Sequence, residues 1–169
     1  PSSASDSSVS HSGIGKSTLA LHVANAYANA PGEPAFRSIV WFAAKDGRRS
    51  TWLDELLNKI GATFDFDVIT QTAPVDIGWK SQAVRLYLEK YPALLVLDSF
   101  DDMDDPELIR WLKEVPRGTR LLITTGPPAG SPAIEPDRTV WLDGLERDDA
   151  LELIRRFADG SVASGALSD

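Results

Sequence analysis

The sequence predicts an α/β fold of three layers, with helices on both faces of a mostly parallel sheet of about five strands. Three observations predict it. Apolar residues recur at helical spacing in five segments, short runs of nearly unbroken apolar residues lie between them, and the two kinds of segment alternate along the chain. Alternation of this kind belongs to βα units, whose crossover helices cover a parallel sheet on both faces and leave its strands without a polar side.

Residues 1–8, PSSASDSS, form a Ser-rich lead expected to be mobile. The first helix follows the loop GIGKST, with Leu19, Val23, Ala26 and Tyr27 expected on its buried face. A strand should precede Gly13, because such a loop is held between a strand and a helix, yet residues 4–10 offer only Val9 as a large apolar side chain. SIVWFAA (38–44) is the next strand. A second helix carries Leu53, Leu56, Leu57 and Ile60, started by Thr51 three residues before Asp54 as an approximate capping box. After a loop over 63–79, Val84, Tyr87, Leu88 and Tyr91 mark a third helix and ALLVLD (93–98) a strand. The fourth helix, with Leu108, Ile109, Leu112 and Val115, has Asp105 as N-cap and Pro106 in its first position. RLLITT (120–125) is a strand, 126–138 a proline-rich loop, TVWL (139–142) a further strand, and Leu151, Ile154 and Phe157 lie on a last helix. A single domain over residues 9–160 is expected, with 161–169 beginning a linker. The tryptophans at 41, 52, 79, 111 and 141 read as core and seam residues.

Composition narrows the function classes. A chain of 169 residues with 43% hydrophobic and 25% charged residues is that of an ordinary soluble domain. No apolar run approaches the ~18 residues of a membrane span, and the polar start has no signal-peptide pattern, so a cytoplasmic location without membrane contact is expected. With no cysteine and two isolated histidines, neither disulfides nor zinc-ligand spacing can be built. A net charge of −8 without a basic cluster argues against a dedicated nucleic-acid site.

One loop suggests chemistry. A phosphate is held by convergent backbone N–H groups, a cation and an absence of obstructing side chains. Gly13, Ile14, Gly15, Lys16, Ser17 and Thr18 supply these: the glycines for the turn, Lys16 for the β- and γ-phosphates, the Ser17 hydroxyl for Mg²⁺, and the following helix for its N-terminal dipole. The full pattern G-x-x-x-x-G-K-[ST] asks for glycine at position 10, where Ser10 stands. The plainer alternative is a Gly-rich loop that only caps a helix.

A second element should complete such a site, because the metal on a nucleoside triphosphate needs hard oxygen ligands. Asp98 ends the apolar run Ala93–Leu97, at the carboxyl edge where open α/β sheets bind ligands. The position after it, where a water-orienting acid would stand, is Ser99; Asp101, Asp102, Asp104 and Asp105 crowd the next loop and read first as a solvated turn. Lys16 and Asp98 are therefore the candidate catalytic residues, Ser17 and Asp98 the candidate metal ligands, and ATP or ADP with Mg²⁺ the expected cofactors.

The segments GIGKSTLALHVA, SIVWFAAKD, LLVLDSFDD, GTRLLITTGPP and VWLDGLERDDALELIRRFA together resemble the nucleotide-binding core of the signal-transducing ATPases with numerous domains, in particular the NB-ARC, or apoptotic ATPase, branch, over roughly residues 9–158. The resemblance implies a P-loop NTPase core working as an ADP/ATP switch, with Gly13, Gly15, Lys16, Ser17 and Thr18 as the Walker A loop and Asp98 as the Walker B acid. It also implies slow Mg²⁺-dependent ATP hydrolysis at most, further C-terminal and effector domains as partners, and homo-oligomerisation of the full-length protein. Four positions depart from the family. Ser10 and Ser12 stand for glycines, Ser99 for the second acid, and Gly126, after Thr124 and Thr125, for an arginine that senses the γ-phosphate. These departures favour the alternative of a degenerate P-loop fold serving as a non-catalytic scaffold or oligomerisation domain. A metabolic phosphotransferase would need an acceptor-binding lid, for which there is no candidate.

Overall fold

Five apolar residues closed by one carboxylate, Ala93 to Asp98, form the middle strand of a three-stranded parallel sheet, and all six are buried. The structure, a computed structural model, describes residues 14–29, 36–43, 52–66, 76–102, 105–126, 134–152 and 155. Within them the order is α1 (Lys16–Ala28), β1 (Ser38–Ala43), α2 (Trp52–Thr63), α3 (Ile77–Lys90), β2 (Ala93–Asp98), a 3-10 turn (Phe100–Asp102), α4 (Pro106–Lys113) and β3 (Arg120–Ile123). A fifth helical segment covers 147–152. β2 lies between β1 and β3 and is parallel to both, with Trp41 opposite Val96 and Leu97 opposite Ile123. The chain divides into two compact units, Pro1–Arg138, which holds the sheet and α1 to α4, and Thr139–Asp169.

Strand alternation sorts the sheet into two faces. Ala93, Leu95 and Leu97, with Val40 and Phe42 of β1, pack against Leu56, Leu57 and Ile60 of α2, Val84 and Leu88 of α3, and Leu108, Trp111 and Leu112 of α4. Leu94 and Val96 face the other way, against Ala20 and Ala24 of α1, beside Ile39, Trp41 and Leu122. A strand covered on both faces has no reason to alternate polar and apolar residues, which is why 93–97 reads as one apolar run.

Three expectations need correction. The buried face of α1 is Ala20 and Ala24, at 3% and 4% exposure, whereas Leu19 and Tyr27 are 39% and 48% exposed. The helix rests on the sheet through its smallest side chains, so the larger ones are turned to its flanks, where Tyr27 meets the edge of Phe36 with ring centres 5.5 Å apart. Residues 139–142 form no strand; Val140 and Trp141 are 75% and 71% exposed, without the cover on both faces that a buried strand needs. Helix α3 begins inside the expected loop, at Ile77, because the Asp76 carboxylate accepts from Trp79 N at 2.9 Å and caps it. The Asp54 carboxylate accepts from Lys80 Nζ at 2.6 Å and from Asn58 Nδ2 at 3.1 Å. Lys80 is thereby buried as a strut between α2 and α3, its ammonium also bonded to Asn58 Oδ1. Thr51 and the strand expected before Gly13 lie outside the described residues. Of the tryptophans, Trp52 and Trp111 are buried, while Trp79 and Trp141 are exposed.

The close seating of α1 has a measurable consequence. Ala20→Leu should cost about 1–3 kcal/mol by overpacking the sheet contact, while Leu21→Ala, at a half-exposed position, should change stability by no more than about 0.5 kcal/mol. Urea unfolding of both variants checks this, and the reverse order would mean that α1 is rotated.

Candidate functional site

The same alternation that builds the core builds the site. Asp98 follows Leu94 and Val96 at two-residue steps, so its side chain emerges on the α1 face rather than the α2–α4 face. Thr124 follows Leu122 by the same step on the neighbouring strand and is therefore on that face too. The start of α1 lies above them. Ser17 Oγ donates to Asp98 Oδ1 at 2.8 Å, across a sequence separation of 81 residues. Thr124 Oγ1 donates to the same oxygen at 2.6 Å. Asp98 is 8% exposed, so its charge is held by these two hydroxyls with little help from water.

The turn into α1 is made by Gly15, at φ 95 and ψ 12, a left-handed conformation that costs other residues about 1–2 kcal/mol. A Cβ there would meet no atom of the described residues within 4 Å. No side chain caps the helix at Gly15. The N–H groups of its first turn, at Lys16, Ser17 and Thr18, have no acceptors within the helix and carry the positive end of its dipole. Ser17 and Thr18 are exposed.

At the end of β2 the chain turns sharply. Ser99 takes a positive φ of 61, and its N–H donates to Thr124 Oγ1, 2.9 Å away. Phe100 N donates to Thr124 O at 2.9 Å, and Gly126 N to Asp101 Oδ1 at 3.1 Å. The ends of β2 and β3 are thus clipped together around Thr124.

Of the expected site residues, the structure bonds Ser17 to Asp98, with Gly15, Lys16 and Thr18 beside Ser17 at the start of α1 and Ile14 immediately before the turn. Gly13, Ser10, Ser12 and Asp104 lie outside the described residues. Asp105 is the N-cap of α4, as expected, its Oδ1 accepting from Glu107 N at 2.9 Å and Leu108 N at 3.1 Å. Its Oδ2 also accepts from Leu53 N at 3.2 Å, in the first turn of α2, so both oxygens are committed to structure. The partner that sequence reasoning missed is the Thr124 hydroxyl. Its signal was parity: a polar residue closing RLLITT on the face that carries Asp98.

Among the described residues no group of three or more His, Cys, Asp or Glu side chains is placed to cage a metal. A cation that brings phosphate and water ligands needs fewer protein oxygens, and the hydroxyl and carboxylate fit that case. Ser17 gives its proton to Asp98, which turns its lone pairs away from the carboxylate, and among the described residues no donor is bonded to Asp98 Oδ2. A separate cavity of about 250 Å³, lined by residues including Arg85, Arg110 and Trp111, lies at α2, α3 and α4. There Arg85 is paired with Glu114 at 2.5 Å and stacked near Trp111, so its charge is already answered.

Comparison of the chain with protein-family models, with curated proteins and with solved structures finds no match. No described helix is long and apolar enough to cross a membrane.

The double role of Asp105 is open to test. Asp105→Asn keeps one acceptor for α4 and loses the one for α2, at a cost of about 1 kcal/mol; Asp105→Ala loses both and should cost about twice as much. Chemical denaturation measures both, and an Asn variant as stable as the parent would remove the second cap.

Proposed function

We propose that the chain binds a nucleoside diphosphate or triphosphate, ADP or ATP, with Mg²⁺, and that it works as a switch domain of the NB-ARC type on a P-loop NTPase core. One observation carries this: the Ser17–Asp98 hydrogen bond joins the GKS turn to the acid ending β2, two sequence features with no local reason to meet. In this function the first-turn amides of α1 and Lys16 hold the β- and γ-phosphates. Ser17 contributes a lone pair to Mg²⁺, and Asp98 orients the Ser17 hydroxyl and accepts from a metal-bound water through Oδ2. The metal, when bound, neutralises phosphate charge. Chain winding supports the same location. Both β1→β2 and β2→β3 pass over the α2–α4 face, whereas α1 covers the opposite face. With right-handed crossovers, a strand entering α1 would pair beyond β3, and Asp98 and Thr124 would then border the crevice where winding reverses, the ligand position of open α/β sheets.

Hydrolysis is expected to be slow, because Ser99 cannot polarise water as a carboxylate does and its backbone is committed to the clip on Thr124. Lys16 and Asp98 act by holding charge. Nucleotide state would be passed to further C-terminal and effector domains and to homo-oligomers of the full-length protein in the cytoplasm. A second function, a scaffold without nucleotide, is favoured by Gly126, which puts a backbone N–H on Asp101 where the family has a cationic side chain.

Titration with ADP, with and without Mg²⁺, separates the two. Binding that disappears in Lys16→Ala is expected, and unchanged affinity in that variant would exclude the loop. Turnover of ATP should fall well below the ~10 s⁻¹ of typical enzymes and rise in Ser99→Asp, since Asp tolerates the left-handed backbone. A parent protein that already turns over at ~10 s⁻¹ would contradict this mechanism.

A further inference from the structure

We propose that Thr124 is a positioning residue for the metal arm of the site, setting which oxygen of Asp98 faces the ligand; this rests on the nucleotide function proposed above. A carboxylate oxygen accepts about two hydrogen bonds in its plane. Both hydroxyl donors, Ser17 at 2.8 Å and Thr124 at 2.6 Å, fall on Oδ1, which fills it and leaves Oδ2 for a metal-bound water.

Thr124 can do this only because it is itself held. Its hydroxyl has one proton, and the acceptance from Ser99 N at 2.9 Å forces that proton towards Asp98. Its backbone is fixed by Thr124 N donating to Leu97 O and by Phe100 N donating to Thr124 O, each at 2.9 Å. The Ser99 amide thus has a role in orienting the acid, and the positive φ of Ser99 turns the following chain so that Phe100 N reaches Thr124 O. The hydroxyl is buried and makes no contact with the turn into α1 among its recorded bonds, so its effect on a ligand passes through Asp98.

A residue acting in this way should matter only when the metal is present. Without Mg²⁺, ADP is held by Lys16 and the first-turn amides, which Thr124 does not touch. With Mg²⁺, loss of the hydroxyl frees the Asp98 carboxylate to rotate and divides the Ser17 contact between two oxygens. The decisive quantity is the ratio of ADP affinity with and without Mg²⁺, measured by isothermal titration in the parent, Thr124→Val, which has the same shape without the hydroxyl, and Thr124→Ser, which restores it.

The parent should bind ADP more tightly with Mg²⁺. Thr124→Val should lose about tenfold of that enhancement, the worth of one charge-assisted hydrogen bond, with Mg²⁺-free affinity within about twofold of the parent; Thr124→Ser should recover most of the loss. If Thr124→Val loses affinity equally with and without Mg²⁺, or keeps the full enhancement, Thr124 is a structural residue only and the proposal fails while the nucleotide function stands. A parent that binds ADP without any Mg²⁺ enhancement overturns the metal arm and this proposal with it. A parent that binds no ADP overturns the nucleotide function itself. Should Thr124→Val fail to fold, the same ratio in Thr124→Ala, which removes the hydroxyl without placing a second methyl against Asp98, decides the question by the same criterion.

Discussion

A single carboxylate oxygen organises the carboxyl edge of the sheet. Asp98 Oδ1 receives the Ser17 hydroxyl from the first turn of α1 and the Thr124 hydroxyl from the end of β3. Three chain segments far apart in sequence are joined there at one buried charge. Burying a carboxylate is costly unless it is well supplied with donors, so each of these contacts constrains the others. Helix α1 must start where Ser17 reaches Asp98, and it can sit that close only because Ala20 and Ala24, one and two turns on, offer no bulk to the sheet. The left-handed backbone of Ser99 and the clip from Gly126 to Asp101 belong to the same arrangement, since they fix the β2 and β3 ends that present the acid and the threonine.

The remainder of the fold supports that edge from the opposite face. Helices α2, α3 and α4 place their apolar residues on Leu95, Leu97 and Phe42, and are tied to one another by Lys80 with Asp54 and Asn58 and by Asp105, which caps two of them. On this side the buried Lys80 ammonium finds its partners between helices, away from the sheet, whereas Trp52 Nε1, Arg85 Nε and Trp111 Nε1 are buried without a hydrogen-bond partner among the described residues. The two sides differ in character: a large apolar core stabilises one, and the other is thin, with small residues and hydroxyls near the acid.

The sequence made legible whatever depends on period and local chemistry. The run 93–98, the periodicity of α2 and the Asp105–Pro106 start of α4 all appear in the structure as predicted, because a strand covered on both faces and a capped amphipathic helix leave direct marks in composition. The sequence places Ser17 and Asp98 in one expected site, and in the structure the two are hydrogen-bonded. Three features were not legible. The seating of α1 was misread since its apolar residues run all round, and only the distance of closest approach decides that alanines face the sheet. TVWL has the composition of a strand, but strand formation depends on a covered neighbour that composition does not report. Thr124 was read as the end of a strand; its hydroxyl bond to Asp98 follows from register between β2 and β3, which local sequence does not carry.

The central claim is that phosphate and Mg²⁺ are bound where α1 begins, above Asp98. Amide chemical-shift mapping on the isotopically labelled chain tests it most directly, because it locates a ligand without presuming an activity. Addition of Mg²⁺ and ADP should move the amides of Gly15, Lys16, Ser17 and Thr18 first, followed by those of Ser99, Phe100 and Thr124, and leave Ser81, Arg85 and Arg110 in the cavity at α3 and α4 unchanged. Shifts centred on that cavity, or none at the start of α1 at saturating ADP, would contradict the site.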